Sequence, residues 1–298
     1  MPRILLPLLI LAGTLLSCTL PGANSPTPFV FPTPDVSLTA AFEPTATPLP
    51  PTRTLPAANT ATPTVIPTGG TAEATGTSAP ATLDTRPNGS PVEATLLTTP
   101  PSVDGNLSDW SSPARELDEI VFGVSNWSGA NDVSAKYHIG WTEQGLYLAV
   151  QVIDDAFVQV SSGRNVFKGD IVELQLDTDL EGDFFSNSLT TDDFQIGLSP
   201  GNFGSLGSEA WRWYPIGLAG SLSTVSLKAV TTSQGYNLEA MIPWTVFGLT
   251  PAAGDRFGFA LSVSDNDLRG APVQQSMVSS VSTRTLTNPT TWGTLILK

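Results

Sequence analysis

The chain has 298 residues and a formal net charge of -14, with 27 acidic side chains against 13 lysines and arginines. A surface so negative repels phosphate backbones, which argues against nucleic acid as a partner. With one cysteine and one histidine in the whole sequence, disulfide frameworks and zinc sites built from several Cys or His side chains are excluded.

The first predicted element is an export signal over residues 1–17. Arg3 precedes an apolar run from Ile4 to Leu16, which is too short for a good membrane-spanning helix and is followed by Ser17 and Cys18. The letters "LLSC" resemble a bacterial lipobox, which implies cleavage before Cys18 and acylation of that residue. We therefore expect an exported lipoprotein, held at the outer side of a membrane by its lipid anchor alone. The alternative is a secretory peptide with an unmodified cysteine.

The second element, residues 18–97, is predicted to be a disordered linker. Its composition is dominated by Thr, Pro, Ala and Ser, as in "FEPTATPLPPTRTLP". Such a segment buries too little apolar area to offset its chain entropy, and its prolines favour polyproline II conformations. The linker would hold the following domain away from the membrane surface.

Residues 98–298 are predicted to form one all-β domain, an antiparallel β-sandwich. "SAKYHIGWTEQGLYLAVQVID" alternates apolar and polar residues on both sides of a Glu-Gln-Gly turn, which is typical of a hairpin. "TVSLKAVTTSQGYNLEAMIPW" predicts a second hairpin. Further strands are expected in "DIVELQLDTD", "RFGFALSVSDND" and "TWGTLILK".

The order of several motifs in this domain resembles that of the family 9 carbohydrate-binding modules. The motifs are "PSVDGNLSDW", "GLYLAVQVIDD", "FKGDIVELQLDTD", "GYNLEAMIPW", "FGFALSVSDND" and "NPTTWGTLILK". The resemblance implies a sandwich of jelly-roll type that binds a polysaccharide or oligosaccharide without cleaving it, often beside structural calcium.

The resemblance also implies a sugar site. In characterised members two tryptophans sandwich a sugar, and the first lies six residues before a Glu that hydrogen-bonds hydroxyls. Here Phe167 stands at the first tryptophan position, Glu173 matches the Glu, and Leu286 falls near the second tryptophan. Gln195 lies where members carry an Arg. A Phe ring offers a smaller stacking face than an indole.

The segment "GSEAWRWYP" is a second source of sugar-binding side chains. In a strand, Trp211 and Trp213 share one face and Arg212 occupies the other. Sugars bind to an apolar platform with a few polar groups beside it, so an outward-facing side of this strand would supply the missing ring. The alternative is that one of these faces lines the core.

The segment "DTDLEGD" is predicted to hold calcium. Asp177, Asp179, Glu181 and Asp183 stand at alternate positions, which resembles the front half of an EF-hand loop. So many carboxylates repel one another unless a cation is present. Further oxygens are available from Asp192, Asp193, Asp265 and Asp267. The alternative is a solvated strand end with acidic turn residues.

Taken together, these patterns predict non-catalytic glycan binding at the outer cell surface, in polysaccharide recognition or degradation. Three other functions remain open. One is an adhesion or scaffold module without sugar affinity. Another is a haem-binding redox sandwich, with axial ligands from His138, Met241, Met277 or a lysine. The last is a glycoside hydrolase or its accessory, which would require a carboxylate pair flanking a cleft.

Overall fold

The computed structural model describes residues 85–298. The predicted signal peptide, Cys18 and most of the predicted linker lie outside the described residues. The strands are β1 Val92–Leu96, β2 Arg115–Leu117, β3 Glu119–Phe122, β4 Val133–Trp141, β5 Gly145–Asp154, β6 Ile171–Asp177, β7 Asp193–Ser199, β8 Glu209–Tyr214, β9 Gly220–Ser221, β10 Ser226–Thr232, β11 Gly235–Pro243, β12 Arg256–Asp265, β13 Ser276–Ser279 and β14 Gly293–Leu297.

Short 3₁₀ helices connect some of these strands, at Leu107–Asp109, Gly163–Lys168, Ile216–Leu218, Trp244–Val246 and Pro289–Thr291. Within residues 85–298, no helix has the length and apolar character needed to cross a membrane. The prediction of an all-β domain is confirmed, as are both predicted hairpins, β4–β5 and β10–β11.

The strands form one curled sheet with two arms. The first arm runs β10-β11-β5-β4 with β2 added on β4. The second runs β14-β12-β6-β7-β8-β9, with β13 paired to β12 and β3 paired to β13. Strand β1 joins the arms, because its first half pairs with β14 and its second half with β4. Both pairings are parallel, so the sheet is mixed, whereas the sequence predicts only antiparallel pairs.

Alternating apolar residues of the two arms meet in a single core. Tyr137 of β4 and Phe259 of β12 are both buried, with ring centroids 6.4 Å apart. Each aromatic or large aliphatic side chain buried in this way stabilises the fold by about 1.5–3 kcal/mol. The core therefore fixes which side of each strand faces outward.

The outward side of β6 and β7 is polar although it is buried. On β6, Val172 and Leu174 join the core cluster, while Glu173 and Gln175 lie on the opposite face. Gln195 of β7 is the partner of Gln175 across the strands. Because these polar groups are buried on a face turned away from the core, other residues of the chain must cover that face. A cleft lies on the same face.

The folded part begins earlier than the predicted linker boundary at residue 97. Strand β1 lies within the segment 18–97 and is central to the sheet. Arg86 is 1% exposed, and its backbone N–H donates to Thr294 Oγ1 at 2.9 Å. The composition of this segment conceals the strand, because "VEATLL" stands among prolines and threonines.

Candidate functional site

A cleft of about 520 Å³ opens on the outward face of the second arm. This volume is within the range of small-molecule sites in proteins. Its walls are formed by Val121, Phe122, Phe167, Glu173, Gln195, Trp213, Gln274, Met277, Arg284, Thr285 and Leu286.

Four of the six predicted sugar-binding residues line this cleft. Glu173 comes from β6, Gln195 from β7 and Trp213 from β8, while Phe167 belongs to the 3₁₀ helix before β6. Leu286, the residue at the second tryptophan position, lines it too. Residues spread over more than a hundred positions of the sequence thus meet because neighbouring strands bring their outward faces together.

The remaining two predicted residues lie elsewhere. Trp211 is adjacent to Gly163 rather than to the cleft. Arg212 donates from Nε to the Leu218 carbonyl at 2.7 Å and from Nη1 to the Val246 carbonyl at 3.0 Å. These backbone contacts hold the guanidinium away from the cleft, so Arg212 has a structural role.

A bulge between β7 and β8 separates Trp213 from Trp211. Arg212 pairs with Ile196 and Tyr214 with Gln195, so Trp213 is the extra residue between these two pairs. A bulge redirects the side chain of the extra residue. Both indoles lie beside the 3₁₀ helix Gly163–Lys168, but of the two only Trp213 lines the cleft.

Phe167 and Trp213 form an aromatic wall of the cleft. Their ring centroids are 6.2 Å apart with planes at 79°, an edge-to-face pair. Trp213 Nε1 donates to the Arg164 carbonyl at 2.8 Å, which fixes the indole against the 3₁₀ helix. The wall is therefore a fixed apolar surface.

Gly197 provides the space for the Trp213 ring. A Cβ atom at this position would lie 2.4 Å from Trp213 Cη2, well inside van der Waals contact. The indole therefore packs directly on the β7 backbone, and only glycine permits this packing.

We expect Gly197→Ala to displace the indole. Overpacking of this kind costs about 1–3 kcal/mol of unfolding free energy, measured by urea denaturation, with a shift in tryptophan fluorescence. Gly217→Ala is the matched control, because a Cβ there meets nothing within 4 Å. Equal stability of the two variants would contradict the proposed packing.

A buried ion pair forms the polar part of the cleft. Glu173 is 4% exposed and Arg284 is 7% exposed. Arg284 Nη2 lies 3.3 Å from Glu173 Oε2, and Ser264 Oγ donates to Glu173 Oε1 at 3.1 Å. Burial raises the pKa of Glu173, while the charge of Arg284 acts in the opposite direction.

The guanidinium of Arg284 is held on its other edges as well. Nε donates to Gln175 Oε1 at 3.4 Å, and Nη1 lies 2.9 Å from the sulfur of Met277. Burial lowers the pKa of Arg284, and Glu173 counteracts that effect. The two side chains therefore present a fixed acceptor and a fixed donor side by side.

Arg284 is not predicted from the sequence, because the family resemblance implies an arginine on β7. The structure supplies the guanidinium from the segment between β13 and β14 instead, two residues before Leu286. Gln195 Nε2 donates to the Leu286 carbonyl and thus ties this segment to β7. The letters "STRTL" contain no signal for this long-range contact.

Two of the four predicted calcium ligands come together. Asp177 and Asp183 place carboxylate oxygens within 4.8 Å of each other and of Asp192. Asp179 and Glu181 are exposed and lie outside this group. The EF-hand-like spacing therefore does not produce an EF-hand-like ligand set.

A guanidinium already occupies the neighbourhood of this first cluster. Arg86 Nη2 lies 2.6 Å from Asp177 Oδ2 and 3.9 Å from Asp183 Oδ1. Burial raises the pKa of Asp177 to about 7, against the lowering effect of Arg86. This cluster thus has a cation from the chain itself.

A second acidic cluster lies where β4 begins and where β5 and β12 end. It consists of two groups that share Asp267, with members Asp132, Asp155, Asp154 and Asp265. None of the ion pairs found within residues 85–298 involves these carboxylates. Mutual repulsion is therefore not relieved by any basic side chain in the described part of the chain.

The second cluster fits a hard cation. Asp265 Oδ1 and Asp267 Oδ1 are buried and receive no hydrogen bond from the described residues. Burial raises the pKa of Asp265 to about 7 and that of Asp154 to about 6, and neighbouring carboxylates add to both shifts. Carboxylate oxygens are the donors that Ca²⁺ prefers. Asp265 and Asp267 are candidate ligands from the sequence, whereas the other three are not predicted and come from distant segments.

Comparison with solved structures identifies the fold. A family 9 carbohydrate-binding module from Caldicellulosiruptor kristjanssonii in complex with cellotriose matches with a TM-score of 0.54 and 20% identity, over 70% of this chain and 94% of that one. The same kind of module from that organism with glucose gives 0.53 and 20%, over 69% and 95%. At this identity the likeness shows a shared fold. No curated protein matches the chain.

The family is established by the sequence itself. The family described as "Carbohydrate family 9 binding domain-like" matches residues 103–298, which is most of the described part. Its members are non-catalytic carbohydrate-binding modules. The chain therefore belongs to the carbohydrate family 9 binding domain-like family.

Proposed function

We propose that the chain is a surface lipoprotein whose family 9 domain binds a polysaccharide or oligosaccharide in the cleft of Phe167, Glu173, Trp213 and Arg284. The observation that carries the proposal is the juxtaposition of an aromatic wall with a buried, fixed ion pair. Proteins bind sugars with these two elements, an apolar surface for the C–H face of the ring and oriented polar groups for its hydroxyls.

The ion pair is suited to hydroxyl groups, which both donate and accept. Glu173 has remaining lone pairs after accepting from Ser264 and Arg284, so it can accept from a sugar hydroxyl. Arg284 uses three of its N–H groups on protein atoms and has others to donate. Because both side chains are already fixed, little conformational entropy is lost on binding.

The related solved structures support the choice of a first ligand. The Caldicellulosiruptor kristjanssonii module was solved with cellotriose and with glucose. Cello-oligosaccharides and other neutral glycans are therefore the first panel for this chain.

Trp213→Ala is expected to weaken glycan binding about tenfold, the size of a lost aromatic contact of roughly 1.4 kcal/mol. The measurement is isothermal titration of the full chain with the best glycan of the panel. Trp211→Ala is the matched control, since that indole does not line the cleft. Equal weakening in both variants, or no glycan bound by the unaltered chain, would refute the proposal.

We also propose that Cys18 carries the membrane anchor. The lipobox-like "LLSC" supports this assignment. Cys18→Ser is expected to move the exported protein from the membrane fraction to the soluble fraction of producing cells. Mass spectrometry of the N-terminal peptide gives the independent readout. An unmodified Cys18 in a membrane-bound protein would contradict the assignment.

A structural calcium ion is the third part of the proposal. Asp132, Asp154, Asp155, Asp265 and Asp267 would hold it, and its charge would offset the repulsion among their carboxylates. None of these five residues lines the cleft, so the ion would not contact a sugar bound there.

A further inference from the structure

The cleft has an apolar wall that sequence analysis did not predict. Phe122 at the end of β3 and Met277 on β13 pair across their strands, and both line the cleft with Leu286. Phe122 is 49% exposed and Leu286 is 50% exposed. With Phe167 and Trp213 these side chains make most of the lining apolar.

Several polar side chains of the cleft are held by protein atoms around it. Gln195 Nε2 donates to the Leu286 carbonyl, and Gln274 Nε2 donates to Ser264 Oγ at 2.6 Å. Thr285 Oγ1 is within 3.1 Å of Thr291 Oγ1. Gln195 and Gln274 keep their Oε1 acceptors, so the remaining capacity for hydrogen bonds lies on these two amides and on Glu173 and Arg284. The side chains of Phe122 and Leu286 offer none.

This distribution is unfavourable for a sugar with hydroxyls on every side. A hydroxyl placed against Met277 or Leu286 loses its water without gaining a protein partner. A methyl group in the same place would gain apolar contact instead. The cleft therefore distinguishes between a polar and an apolar edge of its ligand.

We propose that the cleft selects sugar units carrying a methyl group on one edge, such as 6-deoxyhexoses or methyl-ether sugars, over the corresponding hexoses. The inference rests on the proposed glycan-binding function. The methyl group would lie against Phe122, Met277 and Leu286, and the hydroxyls of the other edge would bond Glu173 and Arg284.

The test is a competition assay with the full chain and the best glycan of the panel. The competitors are methyl hexopyranosides of the gluco, galacto and manno series, each with its 6-deoxy and its 6-O-methyl analogue. We expect at least one methyl-bearing analogue to compete about 10- to 100-fold more strongly than its parent hexoside, the range in which apolar pockets reject an added hydroxyl. Comparing the 6-deoxy with the 6-O-methyl competitors shows whether a C-methyl or an O-methyl group fits the cleft.

A matched pair of variants locates the effect. Leu286→Asn introduces an amide at the apolar wall and is expected to reduce the preference at least fivefold. Leu268→Asn changes a leucine of similar exposure, 54%, that does not line the cleft, and is expected to leave the preference unchanged.

The outcomes separate this inference from the proposed function. Parent hexosides that compete as well as their analogues, or a bound glycan that none of the analogues displaces, would overturn the inference and leave glycan binding established. A preference that survives Leu286→Asn would overturn the assignment to this wall. If the unaltered chain binds no glycan of the panel, both the proposed glycan binding and the inferred preference for a methyl group are refuted.

Discussion

Replacing either Glu173 or Arg284 alone is expected to destabilise the domain more than replacing both. In Glu173→Met or Arg284→Met, the remaining partner is a buried charge without its counter-ion, which costs about 3–5 kcal/mol. In the double variant two thioethers fill the space, and the loss is expected to fall to about 1 kcal/mol. Urea denaturation of all four proteins gives the coupling energy.

Glycan binding is expected to behave differently from stability in this cycle. The double variant regains stability but has neither hydroxyl-bonding group, so it should bind as weakly as the single variants. Binding that returns with stability would show that the pair supports the fold and does not contact the sugar. Single variants within about 1 kcal/mol of the unaltered chain would show that the site is better hydrated than its burial implies.

The surface pair of Lys136 and Glu116 is the control for this cycle. Its charged atoms are closer, at 2.9 Å against 3.3 Å for Arg284 and Glu173, yet both side chains are exposed. Exposed pairs contribute about 0.2–1 kcal/mol because water and salt screen them. A large coupling in the cleft and a small one at the surface would show that burial, and not distance, determines the effect.

The resemblance to the family identifies Glu173 and Gln195, and the structure places both on the outward faces of the paired strands β6 and β7. Local alternation predicts the hairpins, because an apolar face of period two identifies a half-buried strand without tertiary information.

The parts that the sequence does not predict depend on long-range register. Arg284 reaches Glu173 from 111 positions away, and Arg86 reaches Asp177 from 91 positions away. The bulge at Trp213 alters the alternation of β8. Each of these features depends on how separate segments are aligned, and no pattern within one segment encodes that alignment.

The spacing of the acidic residues identifies only part of the acidic clusters, for a related reason. Asp179 and Glu181 satisfy a loop pattern, but Asp179 instead accepts from the Gly182 N–H and closes a local turn. Cation ligands in an oxygen site need to converge in space. Here the converging carboxylates are Asp177, Asp183 and Asp192 in the first cluster and those of three strand ends in the second. Repulsion among acids supports the proposal of a cation but does not identify which acids would bind it.

Removal of calcium is expected to destabilise the domain most strongly near neutral pH. At about 100 times its dissociation constant, an ion bound only by the folded state adds about 2.7 kcal/mol. The measurement is thermal unfolding of metal-stripped protein with and without added Ca²⁺ at pH 4.5, 6 and 7.5. An unchanged melting temperature at pH 7.5 would exclude a structural ion at this cluster.

The pH dependence follows from the raised pKa values of the cluster. Without metal, Asp265 titrates at about 7 and Asp154 at about 6 in the folded state, above their ordinary value of 3.8. The folded state then holds protons that the unfolded state has released, so stability of the metal-free domain falls as pH rises from about 4 to 7. Calcium replaces those protons, and its stabilising effect should therefore grow over the same interval.

Asp267→Asn provides the sharpest test of this assignment. Asp267 belongs to both groups of the cluster, so its neutralisation should abolish most of the calcium effect. In metal-free buffer at pH 7.5 the same variant should be more stable than the unaltered chain, because one of the repelling charges is gone. Asp192→Asn alters the first cluster, where Arg86 already supplies a positive charge, and should leave the calcium effect intact. If Asp192→Asn instead abolishes the effect and Asp267→Asn does not, the ion binds beside Arg86, and the sequence pattern from Asp177 to Asp183 identifies the metal site after all.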